Sequence, residues 1–414
     1  MGSHSYDVAH LITLARRARE RTRLDAVFAS VAQGDAAERA LADATEAGFA
    51  VLDRPLLANP NPGIRSPLRR ARTTRDANLR IVDDVLASLR PAAVVSTVNP
   101  PPSLFLDPAA ARGVPTILLQ LWFWGDRDFQ RAWKADDRRV QEASQPWSVR
   151  VRRAVDRRCE AHYGMPPHIV WDVKRTTVAV QGPAMRHQLV ADGVPESNVV
   201  VTGNPVLDEI HGLRADPERA RGRVASRLGI PRNVPIVAHM RSHEDRMLTV
   251  DRADREASQR QIIGALRAAA PHARIVVKTH PREGAEVAAA VRAWDPGVTV
   301  TGPEVETLDL LASAALVVGT FSTTLLQSVA LDRPTVSAVL WPGLDYWRRA
   351  THWSGVDRVE SASALTEAVR RHLNDPEYGA AWSARRGRFR EQHLLVDGMG
   401  TDRLVDLIER RTDR

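Results

Sequence analysis

The stretch that most constrains the fold is residues 314–336, where a strand, a polar turn, a helix and a second strand follow one another directly. Residues 314–318 are apolar and short enough for a buried strand, which Gly319 ends. Three hydroxyl residues then stand where a helix would begin: Ser322, Thr323 and Thr324. This turn offers N–H groups and hydroxyls at the positive end of a helix, which suits phosphate. The alternative is an ordinary Ser/Thr helix cap.

The same alternation of strands and helices runs along most of the chain. Strands are predicted at 24–31, 49–53, 92–97, 113–121, 176–180, 199–202, 235–239, 273–280, 298–300, 314–318 and 335–339. Helical segments separate most of them, which predicts α/β domains with doubly wound parallel sheets. A chain of 414 residues is long enough for two or three such domains.

The start of the chain departs from this pattern. A small polar loop leads into a helix with Leu11 and Leu14 on one face, and no apolar strand precedes that loop. We therefore predict that the sheet of the first domain lacks, or replaces, its usual first strand. A true start upstream of Met1 is the alternative.

Composition narrows the function classes. Hydrophobic residues make up 43% of the chain, and no apolar run approaches the ~20 residues of a membrane span. The single Cys159 excludes an intramolecular disulfide and a multi-cysteine zinc site, which indicates a cytoplasmic protein. The formal charge of +8 suits anionic partners, but no nucleic-acid-binding motif is present. The arginines of residues 150–158 are predicted to form a solvated helix face.

Polar groups follow four predicted strand ends in the second half, at 241–245, 278–281, 301–303 and 319–324. Parallel sheets bring such ends to one edge, so these loops should share one crevice. Arg241, Lys278 and His280 would supply positive charge and donors there, which predicts a phosphate or diphosphate site. His239 and His243 are alternatives to Arg241, and His280 and Lys278 can also be explained as a loop cap and an exposed strand end.

In the first half, an aromatic cluster follows the strand at 113–121. Trp122 and Trp124 could form the wall of an acceptor pocket or serve in packing, and Asp126 and Asp128 follow them. Asn99 follows another strand end. Histidines and carboxylates lack the close spacing of a metal site.

Three short motifs resemble those of the GT-B fold of nucleotide-sugar enzymes: Val-Thr-Gly-Asn-Pro at 201–205, Lys-Thr-His-Pro at 278–281 and Ser-Thr-Thr at 322–324. The patterns are most similar to bacterial CDP-glycerol glycerophosphotransferases and polysialyltransferases, where a His-Pro pair and a Ser-Ser/Thr pair hold the donor phosphate. Residues 202–204, followed by Asp208, are also similar to UDP-N-acetylglucosamine 2-epimerases. The resemblance implies two Rossmann-like domains that face each other across a cleft, and catalysis without a metal.

The sequence departs from the epimerase pattern in the loops that follow the first-domain strands. No carboxylate stands in register at 97–99 or 121–124, and 238–243 only partly matches the family's His-Arg-Arg-Glu-Asn stretch. Gln327 replaces the glutamate that related families carry after the Ser/Thr turn. We therefore favour group transfer over epimerisation.

The expected domains are 1–204 for the acceptor, 205–395 for the donor, and 396–414 as a helix that crosses back to the first domain. The expected function is a glycosyltransferase that moves a sugar from a nucleotide-activated donor to a hydroxyl of a cell-surface glycan, glycolipid or secondary metabolite. Alternatives are a CDP-glycerol-type glycerophosphotransferase, a 2-epimerase-like enzyme and a non-catalytic nucleotide-sugar binder. No cofactor, metal or nucleic acid is expected. The expected location is cytoplasmic, with peripheral contact at the inner membrane face.

The site residues fall into three groups. The donor would be bound by Gly203, Arg241, Lys278, His280, Pro281, Gly319, Ser322, Thr323 and Thr324. The acceptor would contact Asn99, Trp122 and Trp124. Catalysis is assigned to His280 and to a base, either Asp126 or His4, the latter because many GT-B transferases carry their base in the N-terminal loop.

Overall fold

The computed structural model describes residues 5–29, 35–52, 56, 63–97, 105–121, 145–163, 175–242, 252–280, 283–320, 322–340 and 354–413. The chain divides into two compact units. The first unit contains the described residues up to Asp208 together with those from Asp397 onward, and the second runs from Glu209 to Val396.

The first unit alternates short parallel strands with helices. Its strands are β1 (Val27–Ala29), β2 (Ala50–Leu52), β3 (Val94–Ser96), β4 (Thr116–Leu119), β5 (Thr177–Val180) and β6 (Val199–Val201). Its helices are α1 (Ser5–Arg21), α2 (Asp35–Glu46), α3 (Pro67–Leu89), α4 (Leu106–Ala111), α5 (Trp147–His162) and α6 (Pro183–Ala191). The helix α7 (Pro205–Ala215) spans the unit boundary, and α15 (Gly400–Thr412) completes the first unit.

These strands form two separate parallel sheets. β1 pairs with β2, and β3, β4, β5 and β6 pair in chain order. Among the described residues, no strand is hydrogen-bonded between β1 and β3. In the doubly wound order 3-2-1-4-5-6, this is the position of the first strand.

The second unit contains one six-stranded parallel sheet. Its strands are β7 (Ile236–Met240), β8 (Arg274–Lys278), β9 (Thr299–Thr301), β10 (Leu316–Gly319), β11 (Thr335–Ala338) and β12 (Asp357–Val359). Its helices are α8 (Pro217–Leu228), α9 (Arg252–Ala269), α10 (Ala285–Trp294), α11 (Thr307–Ser313), α12 (Thr323–Ala330), α13 (Ala362–Asn374) and α14 (Pro376–His393). The strand order is β12-β11-β10-β7-β8-β9, which is the Rossmann order with its reversal between β7 and β10.

The core of the second unit explains why its strands have continuously apolar sequences. Val237, Ile275 and Val318 from three adjacent strands are fully buried, and Ile262 of α9 and Leu365 of α13 pack in the same cluster. Strands of a parallel sheet that is covered by helices are apolar throughout, which is why these runs do not alternate. The prediction of Rossmann-like α/β units with parallel sheets is confirmed.

Several boundaries differ from the sequence-based expectations. β12, α7 and α8 were not predicted, and the described part of the helical stretch expected before Tyr163 is α5. The strand expected at 24–31 is limited to β1 among the described residues. No helix in the described part of the chain is long and apolar enough to cross a membrane.

The helix α15 is held against the first unit at its start and along its side. The Asp208 carboxylate accepts hydrogen bonds from the backbone N–H groups of Gly400 (2.7 Å) and Thr401 (2.6 Å) and from the Thr401 hydroxyl (2.6 Å). Arg17 of α1 donates through Nε to Asp402 Oδ1 at 2.6 Å. A carboxylate at a helix start satisfies N–H groups that have no partner within the helix.

Candidate functional site

The strands of the second unit end in one row at the carboxyl edge of the sheet. The register places Met240 beside both Lys278 and Gly319, and Lys278 beside Thr301. The backbone N–H of Arg241 then donates to the Lys278 carbonyl at 3.1 Å. The loops that follow β7, β8, β9 and β10 therefore begin side by side, and the reversal between β7 and β10 is where open α/β sheets bind ligands.

Arg241, directly after β7, is paired with Glu283 from the loop after β8. Arg241 Nη2 donates to Glu283 Oε1 at 2.8 Å, and Nε lies 3.1 Å from each carboxylate oxygen. The side chains are only 7% and 4% exposed. Among the described residues, the buried Nη1 of Arg241 has no hydrogen-bond partner, so one nitrogen of this guanidinium keeps an unused donor capacity.

His280 is tied to the same glutamate through its backbone. The His280 N–H donates to Glu283 Oε2 at 2.9 Å, and the Glu283 N–H donates to the His280 carbonyl at 2.8 Å. The His280 side chain is half-buried. Glu283 was not among the predicted site residues, although its place three residues after His280 was a usable indication of a tight turn.

The Ser/Thr turn after β10 forms the cap of α12. The Ser322 hydroxyl accepts from the Thr324 N–H at 3.2 Å. The buried hydroxyl of Thr324 has no hydrogen-bond partner among the described residues. A Cβ on Gly319 would lie 3.0 Å from Leu325 Cδ2 and 3.3 Å from the Met240 carbonyl oxygen, so a larger residue fits here only if these neighbours shift slightly.

Lys278, the last residue of β8, is committed to the neighbouring loop. Its Nζ donates to the carbonyl oxygens of Gly302 and Val305, both at 2.6 Å. Burial lowers the pKa of this ammonium, and the nearby Glu304 and Glu306 oppose that shift. Two of its three donors therefore hold the loop after β9 in place.

His239, an alternative cation in the loop after β7, lies within that strand and is fully buried. Its Nδ1 lies 3.3 Å from the Val318 carbonyl oxygen and its Nε2 lies 2.8 Å from Gln259 Oε1. Burial lowers the pKa of His239 to about 4, so the ring is neutral at pH 7. It links β7, β10 and α9, which leaves neither ring nitrogen for a ligand.

The remaining predicted residues lie elsewhere or outside the described residues. Gly203 belongs to the first unit and has φ +71°, a conformation that itself favours glycine. The following predicted residues, with His243, lie outside the described residues: His4, Asn99, Trp122, Trp124, Asp126, Asp128 and Pro281.

The strand ends of the first unit are polar but uncharged where they are described. The residues that follow β3, β4, β5 and β6 are Thr97, Gln120, Gln181 and Thr202, and all four are buried. The Gln120 side-chain oxygen accepts from the Gln181 N–H at 3.1 Å. No group of three or more His, Cys, Asp or Glu in the described part of either unit is arranged to hold a metal ion.

Residues 175–405 match the family model of UDP-N-acetylglucosamine 2-epimerase, which is more than half of the chain. The protein is a member of this family. The match runs from β5 to α15 and includes every strand end of the second unit described above. A sequence comparison with curated proteins finds no match.

Solved structures extend the likeness over nearly the whole chain of this family member. The UDP-GlcNAc 2-epimerase from Neisseria meningitidis bound to UDP-GlcNAc has a TM-score of 0.58 at 13% identity, over 98% of each chain. The glycotransferase of kitacinnamycin has a TM-score of 0.55 at 17% identity, over 98% of this chain and 95% of its own. The wall teichoic acid polymerase TagF has a TM-score of 0.51 at 11% identity, over 78% of this chain and 73% of its own. The predicted resemblance to GT-B nucleotide-sugar enzymes is confirmed.

Proposed function

We propose that the second unit binds the diphosphate of a nucleotide sugar at the reversal between β7 and β10, and that the protein transfers the sugar to a hydroxyl acceptor. The observation that carries this proposal is a pair of buried polar atoms, Arg241 Nη1 and Thr324 Oγ1, that have no hydrogen-bond partner among the described residues. Arg241 directly follows β7 and Thr324 lies in the first turn of α12, which follows β10, so the two atoms belong to segments after the two strands on either side of the reversal. Unpaired buried polar groups are costly, and an anion that accepts from both would remove that cost.

The negative charge of the donor diphosphate would be stabilised mainly by the backbone and hydroxyl dipoles at the start of α12. Because Glu283 neutralises Arg241 and Lys278 holds two carbonyl oxygens, the first turn of α12 becomes the main source of donors, through its helix dipole and the hydroxyls of Ser322 and Thr323. His280 would add a donor from the loop after β8. A helix start with hydroxyls suits a diphosphate in this way.

In the proposed reaction, the bond between the anomeric carbon and the diphosphate oxygen breaks as the acceptor oxygen bonds to that carbon. The nucleoside diphosphate leaves with the electron pair, and its growing charge is stabilised by the donors at α12. A base takes the acceptor proton, and Asp126 and His4 remain our candidates for it, with Trp122, Trp124 and Asn99 at the acceptor.

Epimerisation at C2 is the second candidate, and the family match favours it. That reaction needs a base that removes the C2 proton. In the sequence, no carboxylate stands in register with the epimerase pattern at 97–99 or 121–124, which supports transfer. A CDP-glycerol-type glycerophosphotransferase would use the same donor site with a different activated group.

Proton NMR in D₂O separates these reactions. With UDP-GlcNAc alone, an epimerase forms the C2 epimer and exchanges the C2 proton for deuterium, whereas a transferase does neither and consumes the donor only when an acceptor is present. Deuterium at C2 would overturn the transfer proposal. CDP-glycerol is tested in parallel with the same acceptors.

Donor binding is tested by calorimetry after a thermal-shift screen of UDP, GDP, CDP, CMP and dTDP compounds. His280→Ala should weaken binding of the best compound at least about tenfold, because a hydrogen bond to a charged group is lost. His272→Ala is the matched control, since His272 is exposed and precedes the amino end of the same strand. Unchanged affinity in His280→Ala contradicts the proposed site.

A further inference from the structure

The helix α5 exposes its apolar side chains instead of burying them. Trp147 is 75% exposed, Val151 40% and Val155 43%. Their spacing of four residues places them on one face of the helix. No residue of α5 is buried, so this apolar stripe has no cover in the described part of the chain.

Arginines flank the stripe on the same helix. Arg158 lies on the stripe's own face, Arg150 and Arg152 lie to either side of it, and Arg153 lies on the opposite side of the helix; all four are exposed. The sequence pattern alone indicates a solvated basic face. The exposure of Trp147 and both valines changes that interpretation, because a helix that only faces water does not gain from a continuous apolar stripe.

The helix α3 extends the basic surface. α3 packs against α5 through an ion pair of Arg70 with Asp156. Its first turns expose Leu68, Arg69 and Arg72. Residues 65–80 and 147–163 together contain eleven arginines and three acidic residues, a net charge of +8. This is as large as the formal net charge of the whole chain, so the excess of positive charge is concentrated in these two segments.

We propose that the exposed face of α5, with the first turns of α3, binds the surface of an anionic lipid membrane. Trp and Val side chains enter the boundary between headgroups and acyl chains, while arginines reach the lipid phosphates beside them. Nucleic acid would use the arginines but has no apolar surface that matches the two valines. The proposal concerns the first unit and does not depend on the donor site.

The test is flotation of the full chain with vesicles of phosphatidylcholine, with and without phosphatidylglycerol. Binding is expected only with phosphatidylglycerol, and it should weaken as salt is raised. A variant with Arg150, Arg152 and Arg158 all changed to Gln should lose at least about tenfold in partition coefficient, since each basic residue contributes roughly fivefold. A variant with Trp147, Val151 and Val155 all changed to Ser should also bind at least about tenfold more weakly.

The control variant changes Arg219, Arg227 and Arg232 to Gln, which removes three exposed arginines from the second unit. It should bind vesicles within about twofold of the wild type if charge position matters. The altered side chains of all three variants are exposed, and circular dichroism checks that they fold. Equal binding to both vesicle types, or an equally large loss of binding in the control variant, would overturn the proposal. So would displacement of the protein from vesicles by duplex DNA, if the Ser variant bound vesicles as well as the wild type.

Discussion

Arg241 and Glu283 form a bidentate ion pair inside the second unit, and the same carboxylate accepts from the His280 N–H at 2.9 Å. One glutamate thus joins the loop after β7 to the loop after β8. The relative positions of Arg241 and His280, two predicted donor-binding residues, therefore depend on a residue that need not touch the donor.

Breaking this ion pair should destabilise the protein strongly. Glu283→Ala leaves the Arg241 guanidinium buried without its partner, and we expect a loss of about 3–5 kcal/mol in the free energy of unfolding. The double variant Arg241→Met, Glu283→Leu should lose less, because no charge is then left buried. Urea unfolding measures the loss in the free energy of unfolding for both variants. Equal losses would mean that leaving the Arg241 guanidinium buried without its partner adds no cost.

Replacing Lys278 should affect stability as well as any ligand. Lys278→Met removes the donor to the Gly302 and Val305 carbonyl oxygens, and we expect a loss of roughly 1–3 kcal/mol in the free energy of unfolding. Arg274→Met, at the exposed start of the same strand, is the control and should change it by less than about 0.5 kcal/mol. If Lys278→Met kept full stability and lost only donor affinity, Lys278 would be a direct phosphate contact instead.

A side chain at Gly400 should disturb the start of α15. A Cβ there would lie 2.6 Å from the Asn204 nitrogen and 2.9 Å from its carbonyl oxygen, so Gly400→Ala should cost about 1–3 kcal/mol. Gly264→Ala, in the middle of α9 with open space around it, should instead stabilise by about 0.5–1 kcal/mol. Thermal unfolding midpoints compare the two. A stabilised Gly400→Ala would show that α15 can move away from Asn204.

His239 should make stability depend on pH in mildly acidic solution. Its pKa is lowered from 6.5 to about 4 by burial, so between these values the unfolded chain binds a proton that the folded protein does not. The free energy of unfolding should therefore fall as pH drops from about 6.5 to about 4, by up to about 3 kcal/mol from this residue. His239→Asn should flatten the slope by that amount in unfolding curves measured across the range. Parallel slopes for both proteins would contradict this assignment.

The strands and helices around 314–336 could be predicted because each local pattern agrees with the fold. β12 could not, since Asp357 and Arg358 interrupt its apolar character and it pairs on one side only, at the sheet edge. Asp357 is nevertheless buried, because the Tyr378 hydroxyl donates to its carboxylate at 2.5 Å. The helix α8 was not predicted either, although Asp216 caps its start and Gly229 ends it with φ +64°.

In the candidate site, too, one part could be predicted from the sequence and another part could not. The common edge of the strand ends follows from parallel topology, so Arg241, Lys278 and His280 could be assigned to one edge from the sequence. What each side chain contacts there could not, because Glu283, Gly302 and Val305 compete for these groups only once the loops are folded.

The contact of Arg17 with Asp402 has a consequence for synthesis of the protein. Residue 402 leaves the ribosome only after all of the second unit, whereas α1 emerges before the second unit. The nascent first unit therefore lacks its closing helix throughout translation of the second, and the order of assembly in the cell differs from the order of the chain.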